Sequence, residues 1–134
     1  MDDSKDIVFT YKEHTGYIKI NRPPNNFFDS DLIRQIADVL EEMDQKQDCR
    51  SIILYSEGKH FCAGADFSRS NFKNESDAYS ALYDQAVRLF RTSKPIIAVI
   101  QGAAVGGGLG VALAADFRIA CKESRFSANF SKLG

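Results

Sequence analysis

Hydrophobic and polar residues follow two different periods in the first third of the chain. Residues 7–11 and 17–21 are rich in β-branched and aromatic side chains, and Gly16 between them can adopt the positive φ of a turn. We therefore expect an opening β-hairpin. The apolar positions then recur at helical spacing, after Asp29 or Ser30 as the cap. This spacing predicts a helix whose buried face comprises Leu32, Ile33, Ile36, Val39, Leu40 and Met43.

Two short and almost continuous apolar runs, at residues 51–55 and 96–100, predict buried strands further along the chain. Between them lie a loop over residues 57–67 and a polar stretch over residues 68–76. A second amphipathic helix is predicted over residues 77–92. Its apolar stripe, which we expect to lie in the core, comprises Tyr79, Leu82, Tyr83, Ala86, Leu89 and Phe90.

The last part of the chain also consists of short alternating elements. A glycine-rich turn at residues 101–110 connects the strand at 96–100 to a short helix that ends at Ala115. Residues 117–120 and 125–127 have the composition of two more strands. Strands that alternate with helices predict a protein of the α/β class.

Composition and charge limit the classes of function. The 134 residues, of which 44% are hydrophobic and 26% charged, suit one globular domain over residues 1–134. The net charge of -1 gives no electrostatic reason to expect nucleic acid or a membrane surface as a partner. Because Gln101 and several glycines interrupt the longest apolar run, we predict no membrane span.

Cysteine and histidine usage indicates a reducing compartment and no metal site. The three cysteines lack CxxC spacing, which argues against a disulfide framework and against a zinc site. The acidic residues are scattered and there are only two histidines, so no set of metal ligands is expected. The charged first residues lack the apolar core of a secretion signal. We therefore expect a cytoplasmic protein.

The glycine-rich turn predicts an anion or oxyanion site. Glycines remove side chains from this strand-to-helix connection and leave the N–H groups of a helix N-terminus accessible. A Walker-type phosphate loop has Lys and then Ser or Thr after its last glycines, whereas Leu109 follows Gly108. The glycine spacing also differs from the dinucleotide-binding fingerprint. Close packing of a buried helix is the alternative, purely structural interpretation.

A second segment with accessible backbone, residues 58–67, follows the predicted strand that ends at Tyr55. Small residues from Cys62 to Ala65 expose the main chain there. If the strands ending at Tyr55 and Ile100 are neighbours, one N–H from each following loop can converge on a single carbonyl oxygen. Such a pair of donors suits acyl chemistry.

Polar side chains near these segments have simpler structural interpretations. His60 and Cys62 lack the third, orienting group that a base and nucleophile pair requires, so Cys62 is expected to be a packing residue. Asp66 is at a position where a carboxylate more often caps backbone N–H groups than acts as a base. Asp116 is expected to be a buried, hydrogen-bonded carboxylate.

Together the two segments resemble the crotonase family, also called the enoyl-CoA hydratase/isomerase family. The matching stretches are GKHFCAGADF at residues 58–67 and KPIIAVIQGAAVGGGLGVALAADFRIA at residues 94–120, and residues 21–26 are similar to the family's opening. The resemblance covers nearly the whole chain. It implies a ClpP/crotonase-like spiral of ββα units, an acyl-CoA thioester ligand, and trimers or hexamers. It also implies a longer protein, with a C-terminal helical region that this chain lacks.

Carried over by position, the resemblance assigns an oxyanion hole for the thioester carbonyl to the backbone N–H groups of Ala65 and Gly107. The dipole of the helix behind Gly107 would add to the stabilisation. Coenzyme A is part of the substrate in this assignment, and no separate cofactor is implied. The other substrate-binding positions that the resemblance implies are Pro24, Asn25, Asn26, Ala63, Asp66, Phe67, Gly106, Gly110 and Phe130.

The chain departs from the family pattern at the acid and the base. Hydratases of this family use two glutamates at the positions of Gly110 and Phe130, and neither of these residues can transfer a proton. A carboxylate at Glu75 or Asp77, a residue beyond this chain, or no proton transfer at all are the remaining alternatives. We expect either an acyl-CoA enzyme of hydratase/isomerase type or a non-catalytic acyl-CoA or acyl-carrier-protein binding protein.

The final elements of the chain leave the predicted sheet uncovered. Because apolar surface would then be exposed, we expect residues 1–134 alone to be poorly stable or to require partner chains.

Overall fold

The computed structural model describes residues 4–66 and 75–129, apart from the side chain of Glu75. The strands are β1 (Ile7–Lys12), β2 (Thr15–Ile20), β3 (Ser51–Ser56), β4 (Ile96–Ile100), β5 (Ala103–Val105), β6 (Phe117–Ala120) and β7 (Arg125–Ser127). The α-helices are α1 (Ser30–Gln45), α2 (Glu75–Ala86) and α3 (Gly107–Ala114), and a 3₁₀ turn follows α2 at Val87–Phe90.

Within these residues the strands form two sheets. The larger sheet has five strands in the order β1-β2-β3-β4-β6, and β5 pairs with β7 in a second, two-stranded sheet. β1 and β2 form the predicted antiparallel hairpin, with Ile7 opposite Ile20 and Lys12 opposite Thr15. Every other pairing is parallel. The predicted α/β class is therefore confirmed. The strands at 51–55 and 96–100 are neighbours, which is the condition set above for two converging N–H groups.

Helix α1 packs its apolar stripe against one face of the large sheet. Asp29 caps the helix, because its side chain accepts the N–H of Leu32 at 2.8 Å. At the other end, the ammonium group of Lys94 donates to the carbonyls of Met43 and Lys46. The stripe was predicted correctly, and its buried members are Leu32, Ile33, Ile36, Ala37, Val39, Leu40 and Met43.

The second predicted helix differs from expectation in its bounds and in its exposed face. It ends as an α-helix at Ala86 and continues as the 3₁₀ turn to Phe90. Tyr83 is 63% exposed and Phe90 is 65% exposed, and Tyr79 is exposed as well, so the prediction that these aromatic rings lie in the core was wrong. The physical reason is that α2 meets α1 through a narrow face that includes Ala78 and Leu82.

Asp116 ties the start of β6 to the start of β4. Its side chain accepts the N–H of Ile96 at 2.8 Å, and its own N–H donates to the Ile96 carbonyl at 2.9 Å. The carboxylate is hydrogen-bonded as predicted, but the residue is exposed rather than buried. Asp116 lies at the sheet edge, next to the outermost strand, which explains its contact with water.

Candidate oxyanion site

Strands β3 and β4 end at the same edge of the sheet, and the loops that follow them are in contact. The side-chain amide of Gln101 donates at 3.1 Å to the carbonyls of Ser56 and Gly58. Gly102 adopts a φ of +58°, and a Cβ at this position would lie 2.3 Å from the carbonyl oxygen of Lys59. Glycine is therefore required where the two loops cross.

The loop after β3 then runs alongside β5. The N–H of Cys62 donates to the Ala103 carbonyl at 3.0 Å, and the Cys62 carbonyl accepts the N–H of Val105 at 3.1 Å. This is a parallel bridge that pairs Cys62 with Ala104. The sequence did not predict β5, because a three-residue strand is too short to show a period.

This bridge lies shortly before both predicted amides. Cys62 precedes Ala65 by three residues, and its partner Ala104 precedes Gly107 by three residues. The connection between the two segments therefore comes from main-chain pairing.

The main chain on either side of Ala65 is hydrogen-bonded to Phe28. The Gly64 carbonyl accepts the N–H of Phe28 at 2.9 Å, and the N–H of Asp66 donates to the Phe28 carbonyl at 2.7 Å. In a parallel bridge of this kind, the central residue directs its own N–H away from the bonded partner. Across residues 4–66 and 75–129, no acceptor lies within hydrogen-bonding distance of the Ala65 N–H.

Gly107 is the first residue of α3, whose N-terminus faces the same region. Its cap, Gly106, adopts φ 58° and ψ -123° and donates its N–H to the Ser127 carbonyl at 2.8 Å. The first bond inside the helix runs from the Gly110 N–H to the Gly106 carbonyl at 3.2 Å. The N–H of Gly107 therefore has no acceptor within the helix, and the helix dipole makes this end attractive to negative charge.

Two glycines of α3 are required by close approach to other segments. A Cβ at Gly107 would lie 2.1 Å from Cζ of Phe28, and a Cβ at Gly108 would lie 2.1 Å from the carbonyl oxygen of Cys62. No side chain fits in either place. The glycine cluster thus serves close packing, as the purely structural interpretation expects.

Asn26, a predicted substrate contact, is fully buried in the structure. Its side-chain oxygen accepts the N–H of Arg22 at 2.8 Å, and its amide group donates to the carbonyls of Glu57 and His60 at 2.6 and 2.7 Å. The side chain holds the loop after β3 in place. Pro24 is exposed on the surface of this turn.

The remaining predicted positions are distributed around the same loops. Ala63 is half-buried, and its N–H donates to the carbonyl of Asn25 at 2.9 Å. Gly110 is exposed, and no atom lies within 4 Å of the position that its Cβ would occupy. Phe67 and Phe130 lie outside the described residues.

His60 and Cys62 do not form a reactive pair. His60 Nδ1 accepts the N–H of Ala103 at 2.9 Å, which engages the ring in holding the loop. The Cys62 side chain is completely buried, and burial raises the pKa of its thiol to about 12. A thiol of this kind stays protonated and unreactive at neutral pH, so Cys62 is a packing residue as predicted.

Phe28 is the residue that sequence reasoning missed. It is 4% exposed and contacts both halves of the site, through its main chain near Ala65 and through its ring at Gly107. The available signal was its place directly before the cap of α1, where an apolar residue commonly packs down on the helix start.

The described part of the chain offers neither a metal site nor a membrane-spanning helix. Residues 4–66 and 75–129 contain no group of three or more metal-ligating side chains. Among the helices in those ranges, none has both the length and the apolar character that a membrane crossing requires.

A sequence profile described as enoyl-CoA hydratase/isomerase matches residues 10–134. The chain belongs to this family. It is 35% identical over 124 residues to (E)-benzylidenesuccinyl-CoA hydratase of Thauera aromatica, covering 90% of this chain and 48% of that protein. It is 32% identical over 125 residues to 1,2-epoxyphenylacetyl-CoA isomerase of Escherichia coli, covering 87% of this chain and 48% of that protein.

Solved structures of the family confirm the predicted crotonase-like fold. An enoyl-CoA hydratase from Shewanella pealeana aligns with a TM-score of 0.84 and 28% identity, covering 97% of this chain and 52% of that one. The chain thus spans about half the length of the relatives it matches. These relatives include a hydratase and an isomerase by name, so family membership leaves the particular reaction open.

Proposed function

We propose that this chain forms part of an enzyme of hydratase/isomerase type, which binds an acyl-CoA thioester and stabilises negative charge on its carbonyl oxygen with the amides of Ala65 and Gly107. The observation that carries the proposal is the bridge between Cys62 and Ala104, which pairs the two segments three residues before Ala65 and Gly107. Neither N–H has an acceptor among the described residues.

The chemistry follows from where charge develops. Addition of water to an unsaturated thioester and migration of its double bond both place negative charge on the thioester oxygen. Two fixed N–H donors stabilise that charge without reorganising, and removing one such donor typically costs about 100- to 1,000-fold in rate. The N-terminus of α3 supports this role, because the helix dipole favours negative charge there.

The proton-transfer group must lie elsewhere than at Gly110, which is one of the positions that carry glutamate in hydratases. Glu75 and Asp77, in the first turn of α2, are our candidates within this chain. We propose that the pantetheine and nucleotide parts of coenzyme A pass over Pro24, Asn25, Ala63, Asp66 and Phe67, with Asn26 acting through the loop that it holds. Coenzyme A enters as part of the substrate.

The assembly and compartment are proposals of the same kind. We propose a homotrimer or hexamer, for which the support is family membership together with the exposed apolar side chains of Phe117 and Ile119 on β6. We propose a cytoplasmic location, for which the support is the free state of the three cysteines.

A second candidate is a protein that binds acyl-CoA or acyl-carrier protein without catalysis. The observation in its favour is Gly110, since a glycine supplies no proton donor or acceptor in its side chain. The fold and the two amides would then serve binding alone.

Calorimetry and turnover assays on the intact natural protein separate these candidates. We expect butanoyl-CoA to bind, and at least one of three reactions to proceed: hydration of crotonyl-CoA, migration of a double bond in a 3-enoyl-CoA, or decarboxylation of a malonyl-type thioester. Binding without any turnover would favour the second candidate. Absence of binding to every thioester would contradict both.

A further inference from the structure

We propose that Phe28 is the positioning residue that sets the separation between the Ala65 and Gly107 amides, an inference that rests on the proposed function. Phe28 contacts the surroundings of both amides. Its main chain is hydrogen-bonded on either side of Ala65, and its ring packs against Gly107. The length of the phenylalanine side chain then defines the width of the site.

The main chain of Phe28 fixes the peptide groups on either side of Ala65. Its N–H donates to the Gly64 carbonyl at 2.9 Å, and its carbonyl accepts the N–H of Asp66 at 2.7 Å. Two bonds that flank a single residue leave it little rotational freedom. The direction of the Ala65 N–H is therefore set by Phe28.

The ring of Phe28 fixes the start of α3. A Cβ built on Gly107 would lie 2.1 Å from Cζ and 2.8 Å from Cε1 of the ring, so the tip of the ring rests directly against this glycine. Because Phe28 is 4% exposed, surrounding atoms hold the ring in place. The first turn of α3 cannot move towards the ring without displacing it.

Hydrogen bonds and ion pairs hold the residues on both sides of Phe28. The next residue, Asp29, caps α1 and pairs with the guanidinium group of Arg22 at 3.1 Å. Arg22 also donates to the Phe27 carbonyl at 3.3 Å and pairs with Asp6 at 2.8 Å. The residues on both sides of Phe28 are therefore anchored to the beginning of the fold.

The consequence is that a shorter side chain should loosen the site while the fold persists. Truncation leaves a gap beside Gly107, and the Gly107 amide can then shift relative to the Ala65 amide. A misplacement of about 1 Å can cost about 100-fold in rate. Binding of coenzyme A depends on other residues and should change much less.

The test is infrared spectroscopy of [1-¹³C]butanoyl-CoA bound to the intact natural protein, because hydrogen bonds lower the stretching frequency of a carbonyl group. We expect wild type to show a lowered frequency and Phe28→Ala to lose at least half of that shift. We also expect kcat to fall about tenfold or more, for whichever substrate wild type turns over, with Kd for butanoyl-CoA within about threefold.

Two further variants separate positioning from general destabilisation. Leu40→Ala removes a buried side chain about three turns along α1 and should leave both the frequency shift and kcat near wild type. Phe28→Met restores an apolar side chain of similar reach and should recover most of the shift. If Phe28→Ala does not fold, Phe28→Leu takes its place, with a reduced shift expected.

The outcomes distinguish this inference from the proposed function. A wild-type protein that binds butanoyl-CoA without any lowering of the carbonyl frequency would contradict the function itself. A wild-type shift that survives intact in Phe28→Ala or Phe28→Leu, with kcat unchanged, would overturn the positioning role and leave the function standing.

Discussion

Gly108 and Gly110, which lie within one turn of α3, have different surroundings. Gly108 lies against the main chain of Cys62, where a Cβ would meet the carbonyl oxygen at 2.1 Å, whereas a Cβ on Gly110 would meet nothing within 4 Å. The same amino acid is thus required by sterics at one position and is unconstrained by sterics two residues later.

Substitution by alanine should therefore change stability in opposite directions at these two positions. Gly108→Ala should lower the free energy of unfolding by about 1–3 kcal/mol, because the methyl group overpacks against backbone. Gly110→Ala should raise it by about 0.5–1 kcal/mol, because alanine loses less conformational freedom in a helix. Urea denaturation of the two variants provides the measurement, and shifts of the same sign would contradict the prediction.

Gly110 also has room for the carboxylate that hydratases of the family carry. It follows Gly107 by three residues and so lies on the same face of α3. We predict that Gly110→Glu folds and raises the rate of deuterium incorporation at Cα of butanoyl-CoA by about tenfold or more, as expected for an added general base. Gly110→Gln is the matched control, since its side chain has the same size but cannot take up the proton. Equal rates in the two variants would contradict the role of the carboxylate.

The cysteines should differ strongly in reactivity. Cys62 and Cys49 are buried, whereas Cys121 is exposed. At pH 8 we expect a maleimide to label Cys121 quickly in the folded protein and to reach the other two only after unfolding. Rapid labelling of Cys62 in the folded state would show that the loop after β3 opens.

The raised thiol pKa also predicts how stability depends on pH. Burial raises the pKa of Cys62 from its ordinary 9.0 to about 12, so the unfolded chain ionises first as pH rises. The contribution of the neutral Cys62 thiol to the free energy of unfolding is therefore complete below pH 9 and declines between pH 9 and about 12. Ionisation of this thiol lowers the free energy of unfolding by at most about 1.4 kcal/mol per pH unit in this range. Cys62→Ala should show a shallower decline by denaturation across this range, and identical slopes would contradict the assignment.

At the scale of elements, the start of α1 has consequences beyond the helix itself. Asp29 ends the segment that carries Phe28, and it satisfies the N–H of Leu32 at 2.8 Å. The cap therefore stabilises both the helix and the support of the proposed site.

We predict that Asp29→Ala lowers the free energy of unfolding by about 1 kcal/mol or more, because the helix loses its cap and Arg22 loses a partner. Asp29→Asn keeps the capping oxygen and should lower the free energy of unfolding by less. Thermal denaturation followed by circular dichroism compares the two variants. An equal loss in both would assign the effect to the ion pair with Arg22 rather than to the cap.

The apolar stripe predicted for the second helix is only partly buried. The spacing of apolar residues correctly indicated a helix, and Leu82 and Leu89 are buried as expected. The same spacing could not say which neighbouring face the helix would meet. Tyr83 and Phe90 therefore remain exposed despite belonging to the predicted stripe.

At the scale of the whole molecule, the edge strand β6 leaves an apolar patch uncovered. In the register of the sheet, Phe117 lies beside Ile97 and Ile119 beside Val99, so their side chains share the face opposite α1. Phe117 is 62% exposed and Ile119 is 59% exposed. Surface of this kind usually marks a contact with other chain segments or subunits.

We predict that the isolated 134-residue chain associates through this patch. Analytical ultracentrifugation should show oligomers or aggregates for this chain, and the double change Phe117→Ser with Ile119→Thr should shift it towards monomer. Phe9→Ser, on the far edge strand β1, removes an exposed aromatic ring elsewhere and should leave association unchanged. A monomeric chain with a cooperative thermal transition would contradict the prediction.

The sequence by itself determined the order and type of most elements and the two glycine-containing segments that follow β3 and β4. These features follow from local causes. Side chains repeat with the period of a strand or a helix, and glycine is needed where backbones approach closely. Local causes also limited the cap of α1 to Asp29 or Ser30 and identified the packing role of Cys62.

Only the tertiary structure decided how the two segments are aligned, which residue connects them, and which apolar residues remain exposed. The strand β5 is three residues long, and its pairing with the loop near Cys62 joins residues that are about 40 positions apart in the chain. No periodic pattern encodes such a pairing. The contact of Phe28 with Gly107 likewise depends on the segment before α1 meeting the start of α3 in space, which long-range packing and not local propensity decides.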